Sequence, residues 1–127
     1  MPHTLLLIDD NAIQAATRQT ILKRAGYFVI AVLGPERALE QLRNNDFPSP
    51  IDLVITDHIM PGMNGAEFVA QLRKFAPELP VLVISGLAEA EDAYQNLGVV
   101  FRMKPLLPEL LLTNVQALIE SRASARI

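Results

Sequence analysis

Short apolar runs alternate with longer amphipathic stretches along the whole chain. The apolar runs are rich in Leu, Val and Ile and predict five strands, at residues 4–8, 27–32, 53–57, 81–85 and 99–103. The stretches between them predict helices at residues 12–25, 35–44, 66–75 and 89–97, with a last helix over residues 106–122. This alternation indicates an α/β fold in which helices cover both faces of a parallel sheet.

Apolar positions within each predicted helix indicate the face that packs on the sheet. Asn11 is a candidate N-cap for the first helix, and Gly26 follows its end. Five residues are available for the inner face of this helix: Ala12, Ala16, Ile21, Leu22 and Ala25. The tail from Ser121 onward is expected to fray.

Composition narrows the functional classes. A chain of 127 residues, half of them hydrophobic, is long enough for one domain with a real core, and no linker divides it. We therefore expect a single domain over residues 1–127, with its core at about 4–121. The net charge of −3 gives no electrostatic case for nucleic-acid binding. With no cysteine, no signal-peptide pattern and no membrane-length apolar run, the sequence favours a cytoplasmic protein.

Polar residues follow four of the five predicted strands. Asp9 and Asp10 follow the first, Asp57 ends the third, Ser85 ends the fourth, and Lys104 follows the fifth. Because ligands of open α/β sheets bind at the carboxyl ends of the strands, these residues are expected to meet at one edge. Each alone is an ordinary cap, turn or surface residue, and only their combination points to a site.

The residue types at this edge suggest a chemistry. Three crowded carboxylates resist ionisation unless a cation lies among them, and oxygen ligands suit Mg²⁺, with Mn²⁺ as a substitute. A carboxylate can also attack phosphorus, which would make Asp57 a candidate nucleophile with Ser85 and Lys104 around the transferred group. His3 and His58 have no ligand partners at metal-binding spacing and are interpreted as ordinary residues.

Four segments resemble the motifs of the response-regulator receiver domains of two-component signalling. These segments are "LLLIDDN", "DLVITDHIMPGMNG", "VLVIS" and "MKP", and the resemblance spans residues 4–121. It implies a flavodoxin-like (βα)5 fold with a five-stranded parallel sheet in the order 2-1-3-4-5. It also implies a phosphoacceptor switch that catalyses its own phosphorylation and dephosphorylation and is not a conventional enzyme.

The resemblance also implies roles at the acidic end of the site. By position, Asp57 would be the phosphoacceptor and a Mg²⁺ ligand, and Asp10 a direct ligand. Asp9 would bind the ion through water, and the backbone carbonyl of Ile59 would complete the protein ligands.

The other matched motifs imply a phosphoryl-binding and switching group. Ser85 and Lys104 would bind phosphoryl oxygens, and the bond from Lys104 to Pro105 would be a cis peptide. Ser85 and Phe101 would be switch residues, although plain core packing is the alternative for Phe101.

Two departures from the family pattern carry expectations of their own. The stretch from Ser85 to Lys104 is about three residues shorter than is usual in the family, so the fourth helix is expected to be short or irregular. Ile59 and Leu87 lie two residues after Asp57 and Ser85, where the family tunes the lifetime of the acyl phosphate. Because both are apolar, slow self-dephosphorylation is expected.

Three functional interpretations compete. The first is a switch phosphorylated by a sensor histidine kinase, a phosphotransfer protein or a small phosphodonor, acting on an unidentified downstream protein as a monomer or a phosphorylation-dependent dimer. The second is a receiver-like interaction module that is never phosphorylated. The third is a hydrolase resembling the haloacid dehalogenase group, which has a second Asp where this chain has Ile59; that difference argues against it.

Overall fold

The fold is a five-stranded parallel sheet with helices on both faces. The computed structural model describes residues 2–125, and the surroundings of side chains up to Arg122. The strands lie in the order β2-β1-β3-β4-β5. Their bounds are Thr4–Ile8 (β1), Phe28–Val32 (β2), Leu53–Asp57 (β3), Val81–Ser85 (β4) and Val100–Met103 (β5). The predicted fold class and strand order are therefore confirmed.

Within residues 2–125, four α-helices and one 3-10 segment connect or follow the strands. The helices are Ala12–Arg24 (α1), Pro35–Arg43 (α2), Gly65–Arg73 (α3) and Pro108–Ala125 (α4), and the 3-10 segment is Ala88–Tyr94. The fraying expected from Ser121 is wrong for residues 121–125, which continue α4, and residues 126–127 lie outside the described residues. Among the helices described, none has both the length and the apolar character needed to cross a bilayer.

Alternate residues of the central strands pack into two separate hydrophobic cores, one on each face of the sheet. Because successive side chains of a strand point to opposite faces, Leu6 and Val54 pack towards α2, α3 and the 3-10 segment, whereas Leu5 and Leu53 pack towards α1 and α4. Every residue of β1, β3 and β4 is buried. The polar residues of interest lie at the ends of these buried strands.

The inner face of α1 differs from the prediction. Asn11 caps the helix as expected, since its side-chain oxygen accepts the Gln14 amide at 3.0 Å. The buried stripe, however, consists of Ala15, Arg18 and Leu22. Three alanines predicted to face inward are exposed: Ala12, Ala16 and Ala25. Alanine is common on both buried and exposed helix faces, so it does not indicate which face is buried. Arg18 counts as polar although it is buried, and the apolar pattern therefore predicted the wrong inner face.

The region between β4 and β5 confirms the expectation of a short or irregular fourth helix. Only Ala90 and Tyr94 of the 3-10 segment are buried. The chain leaves this segment through two left-handed residues, Asn96 at φ 65° and Gly98 at φ 67°. A 3-10 conformation with a left-handed exit spans the shortened connection in fewer residues than a helix of ordinary length would need.

Arg73, the last residue of α3, binds four backbone carbonyls. Its Nε donates to Leu97 at 2.7 Å and its Nη2 to Gly98 at 3.1 Å. Its Nη1 donates to Ala76 at 2.9 Å and to Leu79 at 2.7 Å. Burial lowers the pKa of this guanidinium, but the carbonyls compensate its charge. Arg73 therefore connects α3 to the chain entering both β4 and β5.

An Arg73→Met variant is expected to have a free energy of unfolding about 2 kcal/mol lower than the wild type. The four carbonyls that Arg73 binds would remain removed from water but would lose their hydrogen-bond donor. Urea unfolding followed by circular dichroism measures the change. Arg43→Met is the matched control: this exposed side chain lies over the Phe75 ring at 5.2 Å, and its loss should cost less than about 1 kcal/mol. Equal losses in the two variants would contradict the anchoring role.

Candidate functional site

The carboxyl ends of four strands bring the predicted residues to one edge of the sheet. Asp9, Asp57 and Ser85 are buried, with 0, 3 and 2% of their surfaces exposed. Lys104 follows β5 and is half-buried, and its backbone N–H donates to the Ser85 carbonyl at 2.8 Å. The parallel register aligns these strand ends, since Asp57 pairs with Ile84 and Ser85 with Met103. The edge predicted from the sequence is therefore a physical cluster.

Three carboxylates form the acidic part of this cluster. Asp9, Asp10 and Asp57 each offer an oxygen, and these oxygens lie within 4.8 Å of one another. Asp9 and Asp57 are buried, whereas Asp10 is exposed. The group is thus open to solvent on the side of Asp10.

Positively charged and amide donors surround the buried acids. Lys104 Nζ lies 3.3 Å from Asp57 Oδ1, as the sequence suggested. Two residues of α1 were not predicted. Arg18 Nη1 lies 3.1 Å from Asp57 Oδ1 and 3.3 Å from Asp9 Oδ2. Gln14 Nε2 donates to Asp9 Oδ2 at 2.7 Å and to Asp57 Oδ2 at 2.8 Å.

Burial dominates the electrostatics of Asp57. It raises the pKa of the Asp57 carboxyl, and the neighbouring Asp9 raises this pKa further, while Arg18 and Lys104 act in the opposite direction. The protein's own cations therefore compensate the Asp57 charge only in part. The donor set, three carboxylates with an open side, fits a hard divalent cation such as Mg²⁺, which prefers oxygen ligands and retains water.

Ser85 occupies a tight turn beside the acids. Its Oγ accepts the Leu87 N–H at 3.0 Å, which leaves the hydroxyl proton available for another acceptor. Ile59 and Leu87, two residues after Asp57 and Ser85, are exposed to solvent, at 62 and 38%. The bond from Lys104 to Pro105 is cis, as the resemblance implied.

A row of rings links the site to the 3-10 segment. His58 Nδ1 lies 2.7 Å from the Tyr94 hydroxyl, and the Tyr94 and Phe101 ring centroids are 5.7 Å apart. Burial lowers the pKa of His58 and raises that of Tyr94. Phe101 is buried in the core, which is the packing alternative considered for it; its switch role stays a prediction. His58 follows Asp57 directly, so the ring row begins next to the acids.

Comparisons with known proteins agree on one family. The family model described as "Response regulator receiver domain" matches residues 5–116. A putative two-component response regulator of Arabidopsis thaliana is 36% identical over 108 residues, and a sensory/regulatory protein of Xanthomonas campestris (strain 8004) is 35% identical over 115. These alignments cover 82 and 85% of this chain, but only 17 and 15% of those relatives.

Solved structures give the same result. A response regulator receiver protein from Sinorhizobium medicae matches with a TM-score of 0.83 and 31% identity, over 95% of this chain and 97% of that one. A CheY-like receiver domain protein from Methanospirillum hungatei matches with a TM-score of 0.90, over 98 and 99% of the two chains; at 23% identity it supports the fold alone. With the family model covering most of its length, this chain belongs to the response regulator receiver domain family.

Proposed function

We propose that this chain is a phosphorylation-controlled switch in which Asp57 is the phosphoacceptor. The observation that carries the proposal is a buried carboxylate at the end of β3, 3.3 Å from Lys104 Nζ and grouped with two further acids. An Asp with a purely structural role needs only one partner. Asp57 instead lies among several charged and hydrogen-bonding groups, an arrangement typical of functional sites.

Transfer begins with a carboxylate oxygen of Asp57 attacking phosphorus. The new O–P bond forms as the bond from phosphorus to the donor breaks, and the bonding electrons leave with the donor group. Lys104 and the Ser85 hydroxyl are placed to bind equatorial phosphoryl oxygens. Asp10, Asp57 and the Ile59 carbonyl would hold Mg²⁺ directly and Asp9 would hold it through water. The ion would supply positive charge against the repulsion between the anionic phosphoryl group and the acids.

Phosphorylation changes the charge at the end of β3 and gives Ser85 a new acceptor. The Ser85 hydroxyl would then turn toward the phosphoryl group, and the turn to Leu87 and the 3-10 segment would respond. We assign the switching role to Ser85 on this basis, and to Phe101 because its ring lies 5.7 Å from that of Tyr94 in the 3-10 segment. The whole of residues 4–121 would act as one domain.

The proposed partners follow from this chemistry. A sensor histidine kinase or a phosphotransfer protein would donate the phosphoryl group, in the cytoplasm, and an unidentified downstream protein would read the result. The chain would act as a monomer or as a phosphorylation-dependent dimer. The competing proposal is an interaction module that keeps the fold and is never phosphorylated.

Intact-mass spectrometry after incubation with acetyl phosphate tests the proposal. The expected result is a single phosphoryl adduct that forms when Mg²⁺ is present and does not form when EDTA has removed the ion beforehand. An absence of adduct with acetyl phosphate, and also with a phosphorylated histidine phosphotransfer protein, would overturn the proposal in favour of the unphosphorylated module.

Replacing Ile59 and Leu87 together by Gln is expected to speed loss of the phosphoryl group about tenfold or more, because a polar side chain can orient the attacking water. The decay of the adduct over time, followed by intact mass after removal of the donor, gives the rate. Leu110→Gln, which alters a half-exposed apolar side chain of α4, should leave the rate unchanged. An unchanged rate in the double variant would disprove the lifetime role of these positions.

A further inference from the structure

We infer that Arg18 is a resident counter-cation of the acidic group that competes with the divalent ion for Asp9 and Asp57. This inference deepens the proposed function and rests on it for the identity of the ion. Neither the sequence motifs nor the family resemblance assigns a role to this residue of α1.

The location of Arg18 is unusual for a charged residue. It lies between Ala15 and Leu22 on the buried stripe of α1, and only 9% of its surface is exposed. Burying a guanidinium is costly unless its charge is paired. The partners of Arg18 are the two buried carboxylates, which its Nη1 approaches at 3.1 and 3.3 Å. Arg18 therefore bridges the same two acids that a cation would be expected to join.

The carboxylate oxygens that an incoming ion would use already have hydrogen-bond or charged partners. Asp9 Oδ1 accepts the Asn11 N–H, and Asp9 Oδ2 accepts from both Gln14 and Arg18. Asp57 Oδ1 faces Arg18 and Lys104, and Asp57 Oδ2 accepts from Gln14. Every side-chain oxygen of these two acids thus already has a partner. A divalent ion that binds either Asp57 oxygen therefore has to share it with a donor from α1 or displace that donor.

The charges lead to the same conclusion. The acids contribute three negative charges, and Lys104 and Arg18 contribute two positive ones. Without Arg18 the site would be one unit more negative and would attract a divalent cation more strongly. Arg18 therefore weakens binding of the ion in the unphosphorylated protein, and it also presents positive charge next to Asp57 before any ion arrives.

The test measures binding of the ion, with no phosphodonor present. Isothermal titration calorimetry with Mn²⁺ compares the wild type with Arg18→Gln, which removes the charge and keeps a polar side chain. We expect Arg18→Gln to bind Mn²⁺ about tenfold more tightly, the scale on which neighbours of metal ligands change affinity. Arg24→Gln, the same change at the exposed end of α1, should shift the affinity less than about twofold. Unchanged or weaker binding by Arg18→Gln would overturn the inference.

A measurement on the wild type covers the case in which the variant does not fold. In ¹⁵N NMR spectra, the guanidinium signals of Arg18 should be protected from exchange without the ion and lose that protection when Mg²⁺ saturates the site. Signals that do not respond to Mg²⁺ would contradict the competition.

The two proposals fail separately. If the wild type forms no adduct while Arg18→Gln binds Mn²⁺ more tightly, the phosphoacceptor function is wrong and the counter-cation role stands. If the adduct forms and the affinities are equal, only the counter-cation role is wrong.

Discussion

An Asp57→Asn variant is expected to form no phosphoryl adduct with acetyl phosphate and Mg²⁺, under conditions in which the wild type forms one. The neutral amide that replaces the carboxylate is a far weaker nucleophile toward phosphorus. No rearrangement of the site compensates, because Lys104 and Arg18 both converge on the Asp57 carboxylate itself. Intact-mass spectrometry gives the adduct fraction directly.

Asp52→Asn provides the matched control at the other end of the same polypeptide stretch. Asp52 directly precedes β3, and its Oδ2 accepts the Thr4 N–H at 2.8 Å, a bond that an Asn carbonyl can still accept. This variant should form the adduct as the wild type does. Adduct formation in Asp57→Asn at the wild-type level would show that another residue is the acceptor and would refute the assignment.

A Gly65→Ala variant is expected to lose about 2 kcal/mol of unfolding free energy, because the added methyl group has no room. A Cβ at residue 65 would collide with the Tyr94 hydroxyl, and it would lie 2.7 Å from the Asp57 carbonyl oxygen and 3.0 Å from His58 Cα. Two of these three neighbours belong to the backbone of Asp57 and His58, so they cannot move without moving the candidate site.

Gly86→Ala is the control for this prediction. Nothing lies within 4 Å of a Cβ added there, so the change should alter the unfolding free energy by less than about 0.5 kcal/mol. Urea denaturation of both variants supplies the comparison. Equal stability of Gly65→Ala and the wild type would mean that Tyr94 gives way freely, which would contradict the tight packing between α3 and the 3-10 segment.

The strands and helices could be predicted because the sequence patterns that indicate them lie within short stretches of the chain. The central strands are continuous apolar runs, and parallel strands that end in polar residues bring those residues to one edge. Asp9, Asp57, Ser85 and Lys104 were therefore found from strand ends alone. The shortness of the connection after Ser85 follows from comparing its residue count with the length that the family resemblance implies.

The unpredicted features depend on side chains that reach across the fold. Arg18 and Gln14 contact acids from two strands, and Arg73 contacts two separate chain segments. Long polar side chains give no periodic signal, and a buried Arg lowers the apparent amphipathicity of its own helix. One signal was available for Arg18: it is three residues from Ala15 and four from Leu22, which is helical spacing for one face.

The two ends of the 3-10 segment are held very differently. At its C-terminal end Tyr94 contacts His58, and beyond it Arg73 binds two carbonyls. Its first five residues bury only one side chain, and three of them are exposed acids: Glu89, Glu91 and Asp92. Amide hydrogens of residues 88–92 should therefore exchange with solvent deuterium through local opening, long before those of β4 do. The part of the chain that follows the turn at Ser85 can thus be rearranged at a lower cost in folding free energy than β4, which precedes that turn.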